Sequence, residues 1–268
     1  MPLPTFVIPG VQKAATTTLH DLLGQHPRIW VSRPKELHFF DRRRDRGLEW
    51  YSAQFTPGPE HLAWGESTPR YLYQDVAREE MARSLPDARY VVMLREPVSR
   101  AYSQYWFARS RGVESLPTFA EALAAEPARI AQRRDRQPAK FSYLDRGHYL
   151  RQLQSLEDVV GRERILVHLL EDLIADSLAV LRDTCAFLGV EAPSPEVVVP
   201  MARNTFAAPT LNRRPEAAAA PADDRAPGVP RVAYPPIDPD LDRTLRDRFC
   251  EENMALADWL GRDLSHWL

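Results

Sequence analysis

Cysteine is scarce in this chain: its 268 residues hold two, Cys185 and Cys250. A disulfide framework or a zinc site needs more of them at tighter spacing, so neither is expected. Each cysteine lies in an apolar, helix-like stretch and reads as a buried thiol, because free cysteine packs as a small hydrophobe. Long apolar runs are missing too. None approaches the roughly 20 residues of a membrane span. Residues Met1 to Thr5 offer no basic segment leading into an apolar one, as a secretory leader does, so a cytoplasmic location is the expectation. Nor does charge of one sign dominate. The formal net charge is −2, which excludes a globally basic nucleic-acid binder and makes any anion site local. Internal repeats and a domain boundary are also lacking.

What is present suits a single large α/β domain. Hydrophobic residues make up 44% and charged residues 27%, enough to bury a core. Phe6-Val7-Ile8 reaches Pro9-Gly10 and reads as a buried parallel strand ending in a turn. Thr16 to Gln25 follows as a helix with Leu19, Leu22 and Leu23 on one face. The unit recurs where Tyr90 to Leu94 runs into Arg95-Glu96-Pro97 and a helix over Val98 to Arg111, with Pro97 suited to its first turn. Ile165 to Leu169 precedes a third helix over Leu178 to Leu188. Strands alternating with helices predict a parallel sheet flanked by helices on both faces, with 5–9, 90–94 and 165–169 as neighbouring strands. Residues 33–47 carry dense charge and read as irregular. Residues 214–236 are rich in Pro and Ala without apolar periodicity and read as an irregular loop or lid, expected over the cleft. Helical spacing returns over Pro239 to Leu260.

Two strand ends carry anion-binding chemistry. Between the first strand and helix lies Gly10-Val11-Gln12-Lys13-Ala14-Ala15-Thr16-Thr17-Thr18-Leu19. A helix start supplies unpaired N–H groups and a positive dipole end. Lys13 adds a charge, and the threonines add hydroxyls. The spacing departs from the GxxxxGK[ST] loop of nucleoside-triphosphate enzymes. Arg95 ends the strand at 90–94, where ligands of open parallel sheets gather. Ser103 follows on the helix face shared with Ser99 and Arg100. An arginine can hold a phosphate by two parallel hydrogen bonds and a serine can add a third. A nucleotide phosphorylated on both its 5′ and 3′ sides needs two such places, and the helix starts share in neutralising it without a metal.

These segments resemble the sulfotransferases that use 3′-phosphoadenosine 5′-phosphosulfate (PAPS), in the branch of the heparan sulfate N- and 3-O-sulfotransferases and their bacterial relatives. Gly10 to Leu19 resembles that family's GxxKxGTTxL loop. Lys35-Glu36-Leu37-His38-Phe39-Phe40-Asp41 is similar to its catalytic-glutamate segment, and Leu94 to Ser103 to its 3′-phosphate motif. Leu170 to Leu173 with Phe187 to Val190 is similar to its segment after the third strand. The resemblance implies a P-loop-like fold with PAPS as co-substrate. It implies that Lys13 contacts the 5′-phosphosulfate and its leaving oxygen. Thr16 and Thr17 bind the same phosphate, with Ala14, Ala15 and Thr18 in the loop around it. Arg95 and Ser103 hold the 3′-phosphate, and Arg231, in Gly228-Val229-Pro230-Arg231, lies over the nucleotide. Glu36 is the implied base, with His38 supporting it. Two departures stand out. Ala15 replaces the usual glycine. Ser67, in Gly65-Glu66-Ser67-Thr68-Pro69-Arg70-Tyr71, replaces an active-site lysine, so that Arg70 substitutes or the acceptor differs.

Glu36 and His38 are two apart, which in an extended segment points both one way and sends Leu37 and Phe39 to the core. A positioned base speeds proton removal by roughly 10²–10⁴-fold, and His38 is the alternative base. The run Arg42-Arg43-Arg44-Asp45-Arg46 is placed to guide an anionic acceptor. Trp50, Tyr51, Tyr71, Tyr73, Tyr105, Trp106 and Phe107 are candidate ring platforms. The expected acceptor is a glycan or glycosylated natural product, then a lipid or phenol. Two rival readings remain: a nucleotide kinase-like phosphotransferase and a non-catalytic nucleotide-binding module.

Overall fold

The structure, a computed structural model, describes residues 2–132, 140–193 and 234–268. Along the chain lie β1 (Phe6–Gly10), α1 (Thr16–Leu23), β2 (Ile29–Val31), α2 (Gly47–Ser52), β3 (Ala63–Ser67), α3 (Asp75–Ser84), β4 (Arg89–Leu94), α4 (Pro97–Ser110), α5 (Phe119–Ala131), α6 (Tyr149–Val160), β5 (Ile165–Leu169), α7 (Leu170–Ala175), α8 (Ser177–Leu188) and α9 (Pro239–Leu260). The strands form one parallel sheet in the order β2-β3-β1-β4-β5. The expected strands β1, β4 and β5 are neighbours. The sequence reading missed β2 and β3. The first spans three residues, and the second reads Ala-Trp-Gly-Glu-Ser, with a polar end buried in the sheet.

β1 is buried along its whole length, as a strand covered on both faces requires. Right-handed crossovers place α1 on one face and α3 with α6 on the other; accordingly α1 meets α8 and α3 packs on α6. From β1 the chain departs toward β2, and from β4 toward β5. The loops after these adjacent strands therefore diverge and open a crevice at their carboxyl ends.

A second apolar cluster joins α4, α5 and α9 through Val98, Tyr105, Phe119, Tyr143 and Phe249. Arg100 is fully buried beside it, donating to Gln104 Oε1 at 2.7 Å and to the Tyr143 carbonyl. Asp238 caps α9 through the N–H groups of Asp240 and Leu241, with Pro239 in the first turn. After α9, Arg262 forks onto Asp172 at 2.7 and 2.8 Å, and Trp267 donates to Glu171 at 3.1 Å. The segment at Leu170 to Leu173 thus anchors the end of the chain. Cys185 is buried as expected, whereas Cys250 is half-exposed, a correction. Among the described residues no helix is long and apolar enough to cross a membrane.

Candidate active site

The start of α1 is open. Its N-cap, Ala15, adopts left-handed backbone (φ 61°) and offers no side-chain cap, and no acid sits in the first turn. With no side-chain cap and no acid there, the positive end of α1 favours an anion. Thr16 and Thr18 are buried there and Thr17 is half-exposed, while Ala14 is buried behind the loop. Lys13 is also left-handed (φ 74°). Its Nζ lies 4.5 Å from the centroid of the Phe107 ring, which the Arg111 guanidinium approaches at 4.6 Å.

Arg95 joins this loop to the neighbouring strand end. Its Nη1 donates to the Lys13 carbonyl at 3.3 Å, and Tyr149 Oη donates to the Arg95 carbonyl at 2.7 Å. The two anion segments are thus in direct contact. Glu96 turns from Arg95: its carboxylate accepts from the N–H groups of Val98 and Ser99, both at 2.7 Å, and pairs with Arg246 of α9 at 3.3 Å. This corrects one expectation, since the start of α4 is capped by the protein's own carboxylate, and of the two helix starts expected to hold phosphate α1 alone has no side-chain cap. Ser103 is buried on α4.

Glu36 and His38 meet, but by another route than expected. The segment is not extended: both residues adopt left-handed backbone, φ 63° and 54°. Leu37 and Phe39 are buried as expected. The two left-handed residues flanking Leu37 turn the carboxylate and the imidazole onto one another, with His38 Nε2 3.3 Å from Glu36 Oε2. Glu36 N–H donates to the Ser67 carbonyl at 3.1 Å. Ser67 in turn pairs with Ile8 of β1, so the sheet places the pair one strand away from the Gly10–Thr16 loop.

A third member was not given a role by sequence. Asp41, its side chain fully buried, lies 3.0 Å from His38 Nδ1, and Arg70 Nε approaches it at 3.5 Å. Its signal was the spacing of three from His38 in a helical turn, here a π-turn over Phe39–Arg43, a form frequent at functional sites. Burial lowers the His38 pKa, but the hydrogen bonds to Asp41 and Glu36 outweigh it and the net direction is up. Partial burial pushes the Glu36 carboxyl up. The His38 hydrogen bond and the Lys35 ammonium, 3.2 Å away, outweigh that and hold it at about 2. Ser67 is fully buried, and Arg70 Nε lies 3.5 Å from Asp41, the partner of His38.

The basic run is partly committed to the fold. Arg43 donates to the Leu37 carbonyl at 3.0 Å and Arg44 pairs with Glu80 at 2.8 Å. Of the aromatic candidates, Tyr51, Tyr71 and Tyr105 are core residues, which removes them as ring platforms; Trp50, Tyr73, Trp106 and Phe107 keep some exposure. Arg231 and residues 214–233 of the expected lid lie outside the described residues. Where the description resumes, Tyr102 Oη donates to the Pro235 carbonyl at 2.9 Å.

Known proteins are similar to this chain. A family model described as the sulfotransferase domain matches residues 3–215. A heparan sulfate glucosamine 3-O-sulfotransferase 6 of Mus musculus is 36% identical over 121 residues, 45% of this chain and 34% of that protein. A bifunctional heparan sulfate N-deacetylase/N-sulfotransferase 3 of Homo sapiens is 32% identical over 136 residues, 47% of this chain and 16% of its own length. The chain thus spans about a third or less of these curated relatives. The crystal structure of a sulfotransferase from Alicyclobacillus acidocaldarius superposes with a TM-score of 0.77 at 29% identity, covering 100% of this chain and 99% of that one. With the family model matching most of its length, the chain belongs to the sulfotransferase domain family.

Proposed function

We propose that the protein transfers a sulfuryl group from PAPS to a hydroxyl or amine of a carbohydrate or glycosylated small-molecule acceptor, with Glu36 as the base. One juxtaposition carries this reading: an uncapped helix start with Lys13 and Arg95 on one side, and the Glu36–His38–Asp41 group one strand away. The donor set fits a nucleotide with two phosphate groups. Lys13 and the α1 amides face the 5′ side, and Arg95 with Ser103 the 3′ side. PAPS supplies the activated sulfuryl group. The acceptor oxygen bonds to sulfur as the bond from sulfur to the 5′-phosphate oxygen breaks. Lys13 and the α1 amides take up the charge on that leaving oxygen, and Glu36 receives the acceptor proton. A carboxylate held at about 2 is a weak base. It suits a proton made acidic late, once its oxygen is already bonding to sulfur. A non-catalytic nucleotide module has no use for such a group.

Titration with 3′-phosphoadenosine 5′-phosphate against ATP tests the reading; the bisphosphate should bind far more tightly. Lys13→Ala and Arg95→Ala should each weaken it by about 10- to 100-fold, the loss of one charge-assisted contact of roughly 1.5–3 kcal/mol. Adenosine 5′-phosphosulfate, which lacks the 3′-phosphate, should respond to Lys13→Ala alone. Equal losses of both ligands in Arg95→Ala refute the 3′ assignment.

A further inference from the structure

Glu66, in β3, is fully buried. A buried carboxylate is costly unless it is well bonded. This one accepts from Tyr51 Oη at 2.8 Å, Thr68 Oγ1 at 2.5 Å and Tyr71 Oη at 3.0 Å, and from the backbone N–H of Leu37. Two of those hydroxyls are themselves acceptors. Thr68 Oγ1 takes the N–H of His38 at 3.4 Å, and Tyr71 Oη takes those of Phe39 at 2.8 Å and Phe40 at 3.4 Å. Each hydroxyl has one proton to give, and both have the geometry to give it to Glu66. The successive amides of residues 37–40 therefore all end on Glu66, directly or through one hydroxyl.

These amides belong to the turn that sets Glu36 against His38 in left-handed backbone. Such backbone is disfavoured for residues with a Cβ and persists where the surroundings over-determine it. We propose that Glu66 is a positioning residue for the Glu36–His38 pair, acting through Thr68 and Tyr71. Its effect on turnover rests on the sulfotransfer reading; its effect on the geometry of His38 does not.

Thr68→Val and Tyr71→Phe keep shape and ring packing but remove the acceptors of the turn. Glu66→Gln places a donor where hydroxyl protons point and should lower the His38 pKa and turnover as the two hydroxyl variants do; a folded Glu66→Gln with a wild-type His38 titration overturns the role of Glu66. Tyr51→Phe is the control: it removes a donor to Glu66, but among the described hydrogen bonds no amide of the turn ends on Tyr51. NMR titration of the His38 ring, without substrate, reads the geometry; kcat and affinity for 3′-phosphoadenosine 5′-phosphate read the function. In Thr68→Val and Tyr71→Phe the His38 pKa should fall toward its ordinary value as its contact with Glu36 loosens. Turnover should drop about 10- to 100-fold, as for a misplaced reacting group, with nucleotide affinity within about 2-fold. Tyr51→Phe should leave both readouts near wild type. An unchanged His38 titration in both hydroxyl variants overturns the proposal, as does an equal shift in Tyr51→Phe. Should Glu66→Gln not fold, the two hydroxyl variants still decide. A wild-type protein without sulfotransfer activity defeats the proposed function alone, since the titration is read without turnover.

Discussion

Ala15 stands in left-handed backbone at the head of α1, where a Cβ crowds the following carbonyl at a cost of roughly 1–2 kcal/mol. Ala15→Gly should therefore stabilise the protein by about 1 kcal/mol, net of glycine's greater freedom when unfolded. Urea denaturation reads this as a higher midpoint with an unchanged slope. At Glu36 and His38 the pH profile separates the two candidate bases. Glu36, held at about 2, is ionised across the working range, so a Glu36 base predicts no acid limb in kcat from the base down to about pH 4. His38 has a raised pKa and must lose its proton to act. A His38 base therefore predicts activity lost as pH falls through a value above its ordinary one. Lys35→Met removes one of the influences that lower Glu36 and should move any acid limb upward.

At the scale of elements, Glu96 ties α4 to α9 by capping one and pairing with Arg246 of the other. Glu96→Ala should cost about 1–2 kcal/mol from the cap alone, and hydrogen exchange should quicken at the start of α4. Half of the elements, β1, α1, β4, α4, β5, α8 and α9, were legible because their apolar spacing is strong; α2, α3, α5, α6 and α7 were not read from the sequence. The helices at α4, α8 and α9 begin and end within a residue or two of where periodicity, Pro97 and Pro239 placed them. β2 and β3 were hidden for a physical reason. A three-residue strand has no room for a pattern, and the polar end of β3 is buried because Glu66 finds partners supplied by distant segments. The same reason hid Asp41 and the turn at Glu36. Residue types and spacing named Glu36 and His38 as candidates, but the left-handed turn that brings them together is bonded to hydroxyls that follow β3. The extended reading failed because local alternation gave way to those tertiary hydrogen bonds.

For the molecule as a whole, ligand binding at the crevice should register as stability. A ligand at 100 times its dissociation constant stabilises by about 2.7 kcal/mol, or several degrees in Tm for a chain of this size. Thermal denaturation with 3′-phosphoadenosine 5′-phosphate should show that rise, and Lys13→Ala at the same concentration should lose about half of it or more. The crevice between β1 and β4 has a further consequence. Among the described residues, those through α3, including β1, β2, β3 and the Glu36 turn, build one wall, and those from β4 onward, including Arg95 and α9, build the other. The donor nucleotide would bridge two halves of the chain that meet in the exposed turn at Pro86-Asp87. Cut there, the protein becomes a pair of fragments that share the β1–β4 ladder and the α3–α6 and α1–α8 packing, with Lys13 on one and Arg95 on the other. Reassembly should then be driven by the nucleotide itself, which makes this turn the natural place to split the chain into a two-piece sensor for its own donor.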